Sequence, residues 1–254
     1  MCILFIAIDQ HPRYALILAA NRDEFFARPT AASGFWKSHP TLLAGRDLQA
    51  GGTWMGMTMD GRIAALTNIR HPASVMADRQ SRGDLVADYL KNRADMPGYL
   101  ATLRQHRQDF NGYNLLFGSW RNLGVYNNHL DDFQPLGPGI YGLSNADIHS
   151  PWPKTGWGVR ALGQYCEKSN LNTEHLFELL RQERQAEDHQ LPNTGVELDW
   201  ERRLSSIFIR GQTYGTRSST LLLVDKAGHC LWHERSFNQE AQLTREFRTE
   251  FALI

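Results

Sequence analysis

Two apolar runs near the N-terminus limit the fold more than anything else in this chain. Cys2-Ile3-Leu4-Phe5-Ile6-Ala7-Ile8 and Tyr14-Ala15-Leu16-Ile17-Leu18-Ala19-Ala20 flank a polar stretch that contains His11-Pro12-Arg13. Short unbroken apolar runs on either side of a turn read as a β-hairpin, and the lack of polar alternation means that both of its faces are buried. Such a hairpin needs one packed layer above it and another below.

The rest of the chain offers those layers. Asn21-Arg22-Asp23-Glu24-Phe25-Phe26 leaves the second run abruptly with four polar residues. Gly51-Gly52 precedes Thr53-Trp54-Met55-Gly56-Met57-Thr58, and Asp60-Gly61 is a strong turn signal before Arg62-Ile63-Ala64-Ala65-Leu66-Thr67-Asn68, so a second hairpin is expected. Helical spacing of Leu85, Val86, Tyr89 and Leu90 predicts a helix over 82–93, and Pro97 starts another through Leu100 and Leu103 towards Phe110. Strand patterns return at 113–120, 123–126 and 141–144. A second helical block covers 156–167 and 173–186, with Thr173 as its N-cap. Residues 187–195 read as a surface loop, and 205–209, 216–225, 230–235 and 244–253 as strands, with Ala227-Gly228 as a turn. Hairpins, helices, strands, helices and strands in that order favour two stacked sheets with helices outside, in an α+β fold. With no repeat, linker or low-complexity tract, residues 1–254 read as one domain.

Composition excludes several classes. The 254 residues carry 27 basic and 27 acidic side chains, with no basic block, so nothing points to nucleic acid. The cysteines, Cys2, Cys166 and Cys230, are odd in number and scattered, which fits a reducing compartment and no metal or disulfide framework. The first apolar run is too short for a secretory signal, and no stretch approaches a membrane span. A cytoplasmic protein without membrane insertion is expected.

Cys2 stands directly behind Met1 and is small enough for methionine removal. It would then carry thiol and free α-amine on one residue, and an α-amine that titrates near ~7.7–8.0 takes a thiol proton at neutral pH. The alternative is a small apolar residue on a buried strand. If the hairpin turns near Pro12, its register brings Arg22 and its neighbours beside Cys2, where a guanidinium would favour the thiolate. Asp23 or Glu24 would hold the α-ammonium or a substrate amine, or the string is a strand-end salt bridge with Arg28. Asn68 and Asn145 each follow a strand pattern and are oxyanion donors or ordinary turn residues. Arg217 enters an apolar strand among hydroxyls, so Asp23, Glu24 or a substrate anion is expected as its partner.

Met1-Cys2-Ile3, Ala20-Asn21-Arg22-Asp23-Glu24-Phe25, Gly51-Gly52-Thr53-Trp54-Met55-Gly56, Ala65-Leu66-Thr67-Asn68, Tyr141-Gly142-Leu143-Ser144-Asn145, Pro151-Trp152-Pro153-Lys154 and Tyr214-Gly215-Thr216-Arg217 together resemble the NRDE family. That family includes the eukaryotic transport and Golgi organisation proteins and is similar to the N-terminal nucleophile hydrolases. The resemblance spans nearly the whole chain and implies a four-layer αββα sandwich. By similarity to the cysteine branch of those hydrolases it implies Cys2 as nucleophile and base, Arg22 and Asp23 or Glu24 as its electrostatic neighbours, Asn68 and Asn145 as oxyanion donors, and Arg217 as a support. Asn21, Glu24 and Trp54 are substrate-binding candidates. Those hydrolases place an aspartate three residues after the arginine, where this chain has Phe25.

Two functions follow. One is hydrolysis of a small-molecule amide or thioester through a Cys2 acyl intermediate, with no cofactor. The other is binding or trafficking of a hydrophobic anion, such as haem or an acyl-coenzyme A, in keeping with the family's association with haem trafficking and lipid metabolism.

Overall fold

A computed structural model describes residues 2–254. The N-terminal half contains β1 (Cys2–Ile8), β2 (Tyr14–Phe25), β3 (Thr30–Trp36), β4 (His39–Asp47), β5 (Met55–Thr58), β6 (Arg62–Asn68), α1 (Arg82–Lys91), α2 (Met96–Gln105) and β7 (Tyr113–Ser119). Then follow β8 (Asn122–Asn127), β9 (Asp132–Leu136), β10 (Gly139–Leu143), α3 (Pro153–Cys166), α4 (Thr173–Leu180) and α5 (Leu198–Leu204). The chain closes on β11 (Tyr214–Asp225), β12 (His229–Phe237) and β13 (Leu243–Ala252).

All the ladders are antiparallel. One sheet runs β10-β1-β2-β11-β12-β13, the other β3-β4-β5-β6-β7-β8-β9. The β1–β2 hairpin lies inside the first sheet, and alternation sends its two apolar faces to different layers. Leu4, Ile6, Leu16 and Leu18 join Met55, Met57, Ile63 and Leu116 of the other sheet. Ile3, Phe5, Ile17 and Ala19 meet Leu162, Leu176, Phe177 and Leu180 of α3 and α4. On the far side, Leu85, Val86, Tyr89 and Tyr99 of α1 and α2 cover Ala64, Leu66, Leu115 and Phe117. This is the expected αββα stack. Each fully buried Leu, Ile or Phe contributes about 1.5–3 kcal/mol, so the middle layer alone makes a substantial core.

The structure corrects the sequence reading in several places. β2 does not stop at Ala20 but continues through Phe25, because its polar side chains find partners inside the protein. β3 and β4 went unread. The helix at 173 ends at Leu180, and its N-cap is Asn172, whose side chain accepts from the Glu174 N–H at 3.0 Å. Residues 205–209 form no strand; they follow the unread α5 as a strap held one bond at a time. Its Phe208 N–H donates to the Gln182 carbonyl and its Ile209 N–H to Thr216 Oγ1. Among the described residues, no helix is long and apolar enough to cross a membrane.

Candidate active site

A cleft of about 700 Å³ lies between both sheets and the start of α1. The six-stranded sheet lines it with Cys2, Arg22, Glu24, Arg217 and Glu234; the other side supplies Trp54, Asn68, Asp47 and Arg82. Gly52 and Gly83 make the wall between β4 and α1 possible. A Cβ on Gly52 would land on the Gly83 backbone, and the Thr53 N–H donates to the Gly83 carbonyl at 3.1 Å.

Cys2 pairs with Arg22 in the β1–β2 ladder, as the hairpin register requires. Alternation places Cys2, Arg22 and Glu24 on the cleft face, and Asn21 and Asp23 on the face turned to the helices. The Arg22 guanidinium sits 3.9 Å from Glu24 Oε2 and donates to Thr30 Oγ1 at 3.3 Å. Arg28 pairs instead with Asp47, at 2.7 Å. The expected lowering of the Cys2 thiol is not what this geometry produces. Burial pushes the thiol up, and Arg22 and a hydrogen bond from the Asp23 backbone only partly offset it. A thiol in this setting needs a base close by.

Asp23 lies at the centre of a buried polar group. Its Oδ1 accepts from Thr216 Oγ1 at 2.7 Å, and its carbonyl accepts from the Tyr214 hydroxyl at 3.1 Å. Burial raises the Asp23 carboxyl above the usual range, while the Lys154 ammonium draws it back down. Lys154 is itself lowered, first by burial and next by Arg70. Arg70 pairs with Glu201 at 2.5 Å and stacks 4.5 Å from the Trp152 ring.

The other predicted site residues divide by place. Asn68 and Trp54 line the cleft. Asn145 is buried outside it, where its amide donates to the Asn68 carbonyl at 2.9 Å and ties the ends of β6 and β10 together. Asn21 is fully buried behind β2, donating to the Leu180 and Ile207 carbonyls and accepting from Ser219 Oγ. Arg217 does not pair with Asp23 or Glu24. It is the extra residue of a bulge, since Thr216 faces Asp23 and Ser218 faces Arg22. Its guanidinium donates to the Phe25, Phe26 and Arg28 carbonyls and so pins the loop that edges the cleft.

Three residues escaped the sequence reading. Glu234, buried in the cleft floor, accepts from the Ser33 N–H, Ser33 Oγ and Thr220 Oγ1. Alternation with Cys230 and Trp232 was a usable signal for its inward aim. Lys154 in the first turn of α3 is a cation at the wrong end of a helix, which was also a signal. Arg82 donates to the Gly112 carbonyl at 3.0 Å, and nothing in its spacing marks it. Among the described residues, no group of His, Cys, Asp and Glu could hold a metal ion.

Comparison with known proteins agrees with the motifs. Residues 1–239 match the family described as Transport and Golgi organisation 2. The Mus musculus Transport and Golgi organization 2 homolog is 35% identical over 257 residues, covering 93% of this chain and 93% of its own. The Homo sapiens homolog is 34% identical over 275 residues, covering 100% of this chain and 99% of its own. Among solved structures, a Caenorhabditis elegans N-acylethanolamine-hydrolyzing acid amidase ortholog shares the fold, with a TM-score of 0.55 at 12% identity over 87% of this chain and 92% of that one. Motifs, coverage and layer order converge: this chain belongs to the Transport and Golgi organisation 2 family.

Proposed function

We propose that this protein is an N-terminal-cysteine hydrolase of a small-molecule amide or thioester. The observation that carries the reading is the position of Cys2, which lines a polar cleft beside its ladder partner Arg22. Removal of Met1 gives Cys2 an α-amine, the base that a buried thiol lacks. Cys2 Sγ then attacks the substrate carbonyl carbon while the amine takes the thiol proton. The Asn68 amide donates to the developing oxyanion, a contact worth about 3 kcal/mol in acyl transfer. Asn145 acts through Asn68 by fixing its carbonyl. The amine returns the proton to the leaving nitrogen or sulfur, and water attacks the acyl thioester to release the acid.

Arginine in the cleft favours an anionic substrate. Among the described residues seven arginines line it against three carboxylates that face it, Glu24, Asp47 and Glu234, and Glu234 is buried. The same excess supports a second reading, a carrier for an anion such as haem or an acyl-coenzyme A, with Arg22, Trp54 and Glu24 shaping the site. Cys2→Ala separates the two. Hydrolysis of a panel of acyl amides and thioesters, followed by mass spectrometry of the released acids, is lost entirely in the variant of a hydrolase. Affinity unchanged within a few fold, with no turnover in the Met1-processed wild type, supports the carrier instead.

A further inference from the structure

The pairing registers of the six-stranded sheet carry one row of residues straight across the cleft. Cys2 pairs with Arg22, Arg22 with Ser218, Ser218 with Ser236 and Ser236 with Arg245, from β1 through β2, β11 and β12 to β13. Register partners project on the same face of a sheet, and all five residues line the cleft. The next row inward is closed. Its Leu4, Ala20 and Phe247 belong to the core between the sheets, and its Glu234 is held by Ser33 and Thr220. The row from Cys2 to Arg245 is therefore a shelf at the edge of that core, and interstrand steps of about 4.8 Å set its ends about 19 Å apart. Along it, the Ser218 and Ser236 hydroxyls and the Arg245 guanidinium form no hydrogen bond or ion pair among the described residues.

We propose that this row is an extended subsite: the substrate's scissile carbonyl sits at Cys2, and a polar arm crosses Ser218 and Ser236 to end in a carboxylate or phosphate paired with Arg245. The placement of the carbonyl rests on the hydrolase reading; the arm and its anionic end do not. Each serine hydroxyl both donates and accepts, which suits the amide or hydroxyl groups of a linear chain. Arg22 already has Glu24 and Thr30 as partners, so the terminal charge goes to the far end of the row. There the Arg245 fork takes two oxygens of one anion. Arg245 is exposed on β13, so its replacement reads binding with little effect on stability.

The test is calorimetry of the full-length Cys2→Ala protein with N-hexanoyl oligoglycines of increasing length, each with a free terminal carboxylate. An extended arm of about four to six glycines spans about 13–21 Å, and affinity is expected to peak there, about tenfold above the single-glycine probe. Arg245→Gln, or capping the probe as its carboxamide, is expected to erase that gain, while Arg245→Lys keeps part of it. The Ser218→Ala, Ser236→Ala double variant lowers it by about threefold to tenfold. A second series ending in phosphoethanolamine shows which anion Arg245 takes, and Arg245-dependent binding of either end supports the subsite. Affinity flat with length, a gain that survives Arg245→Gln, or no binding at any length with either end overturns it. Turnover by the Met1-processed wild type separates the two readings. Length-dependent binding without turnover sinks the hydrolase and keeps the subsite; turnover of short amides with a flat length profile keeps the hydrolase and sinks the subsite.

Discussion

At the scale of single residues, the site is set by where alternation sends each polar side chain. The Asn21-Arg22-Asp23-Glu24 string looks uniform, yet its members face opposite sides of one sheet and do different work. Glu234 shows the energetic consequence of such placement. Burial holds its carboxyl above the ordinary value near 4.5. A carboxyl raised on folding stabilises fully below its unfolded pKa, and that contribution is lost as pH rises through the folded value. Glu234→Gln keeps the shape but cannot ionise. Its stability in urea melts is therefore expected to improve relative to wild type as pH rises from about 4.5, with the curves parallel above the folded pKa; a constant offset at every pH would exclude an ionising Glu234. Legibility at this scale was uneven. Cys2 beside Arg22 followed from counting residues across one hairpin. Arg82 and Lys154 arrive from helices, whose docking depends on tertiary packing that no local spacing records.

At the scale of elements, α3 and β1 show how closely the layers must fit. Gly158 of α3 presses on the Phe5 ring of β1, and a Cβ there would fall inside the ring atoms. Gly158→Ala is expected to cost about 1–3 kcal/mol by overpacking, despite the better helix propensity of alanine. Thermal unfolding checks this, with Phe5→Leu restoring part of the loss if the clash is the cause. The bulge at Arg217 belongs to the same scale, because the slip in the ladder leaves the arginine without a partner in register and its guanidinium instead reaches the Phe25, Phe26 and Arg28 carbonyls. Long apolar runs and helical spacing revealed most elements. β3 did not show itself, since Thr30-Ala31-Ala32-Ser33-Gly34-Phe35-Trp36 lacks alternation and its pairing with β4 shifts twice. The end of β2 was misjudged because four polar residues in a row read as leaving the strand, when Asn21, Arg22 and Asp23 are buried within it.

At the scale of the whole molecule, the two-faced hairpin was enough to demand a sandwich, and the observed order of helix, sheet, sheet, helix meets that demand. The cleft drew its walls from both sheets and from the start of α1, a conjunction that exists only once the layers have closed. An occupant would therefore act as a rivet, joining two sheets that otherwise hold each other through side-chain packing and a few hydrogen bonds such as those from Ser33 to Glu234. A molecule bound only by the assembled form shifts the melting equilibrium by mass action, about 2.7 kcal/mol at a concentration one hundred times its Kd. For a chain of this size that raises the melting temperature by about 5–10 °C. A heat ramp over a library of acyl amides, thioesters and their anionic fragments should single out the true ligand by the temperature at which the protein gives way, whether or not the ligand is ever cleaved.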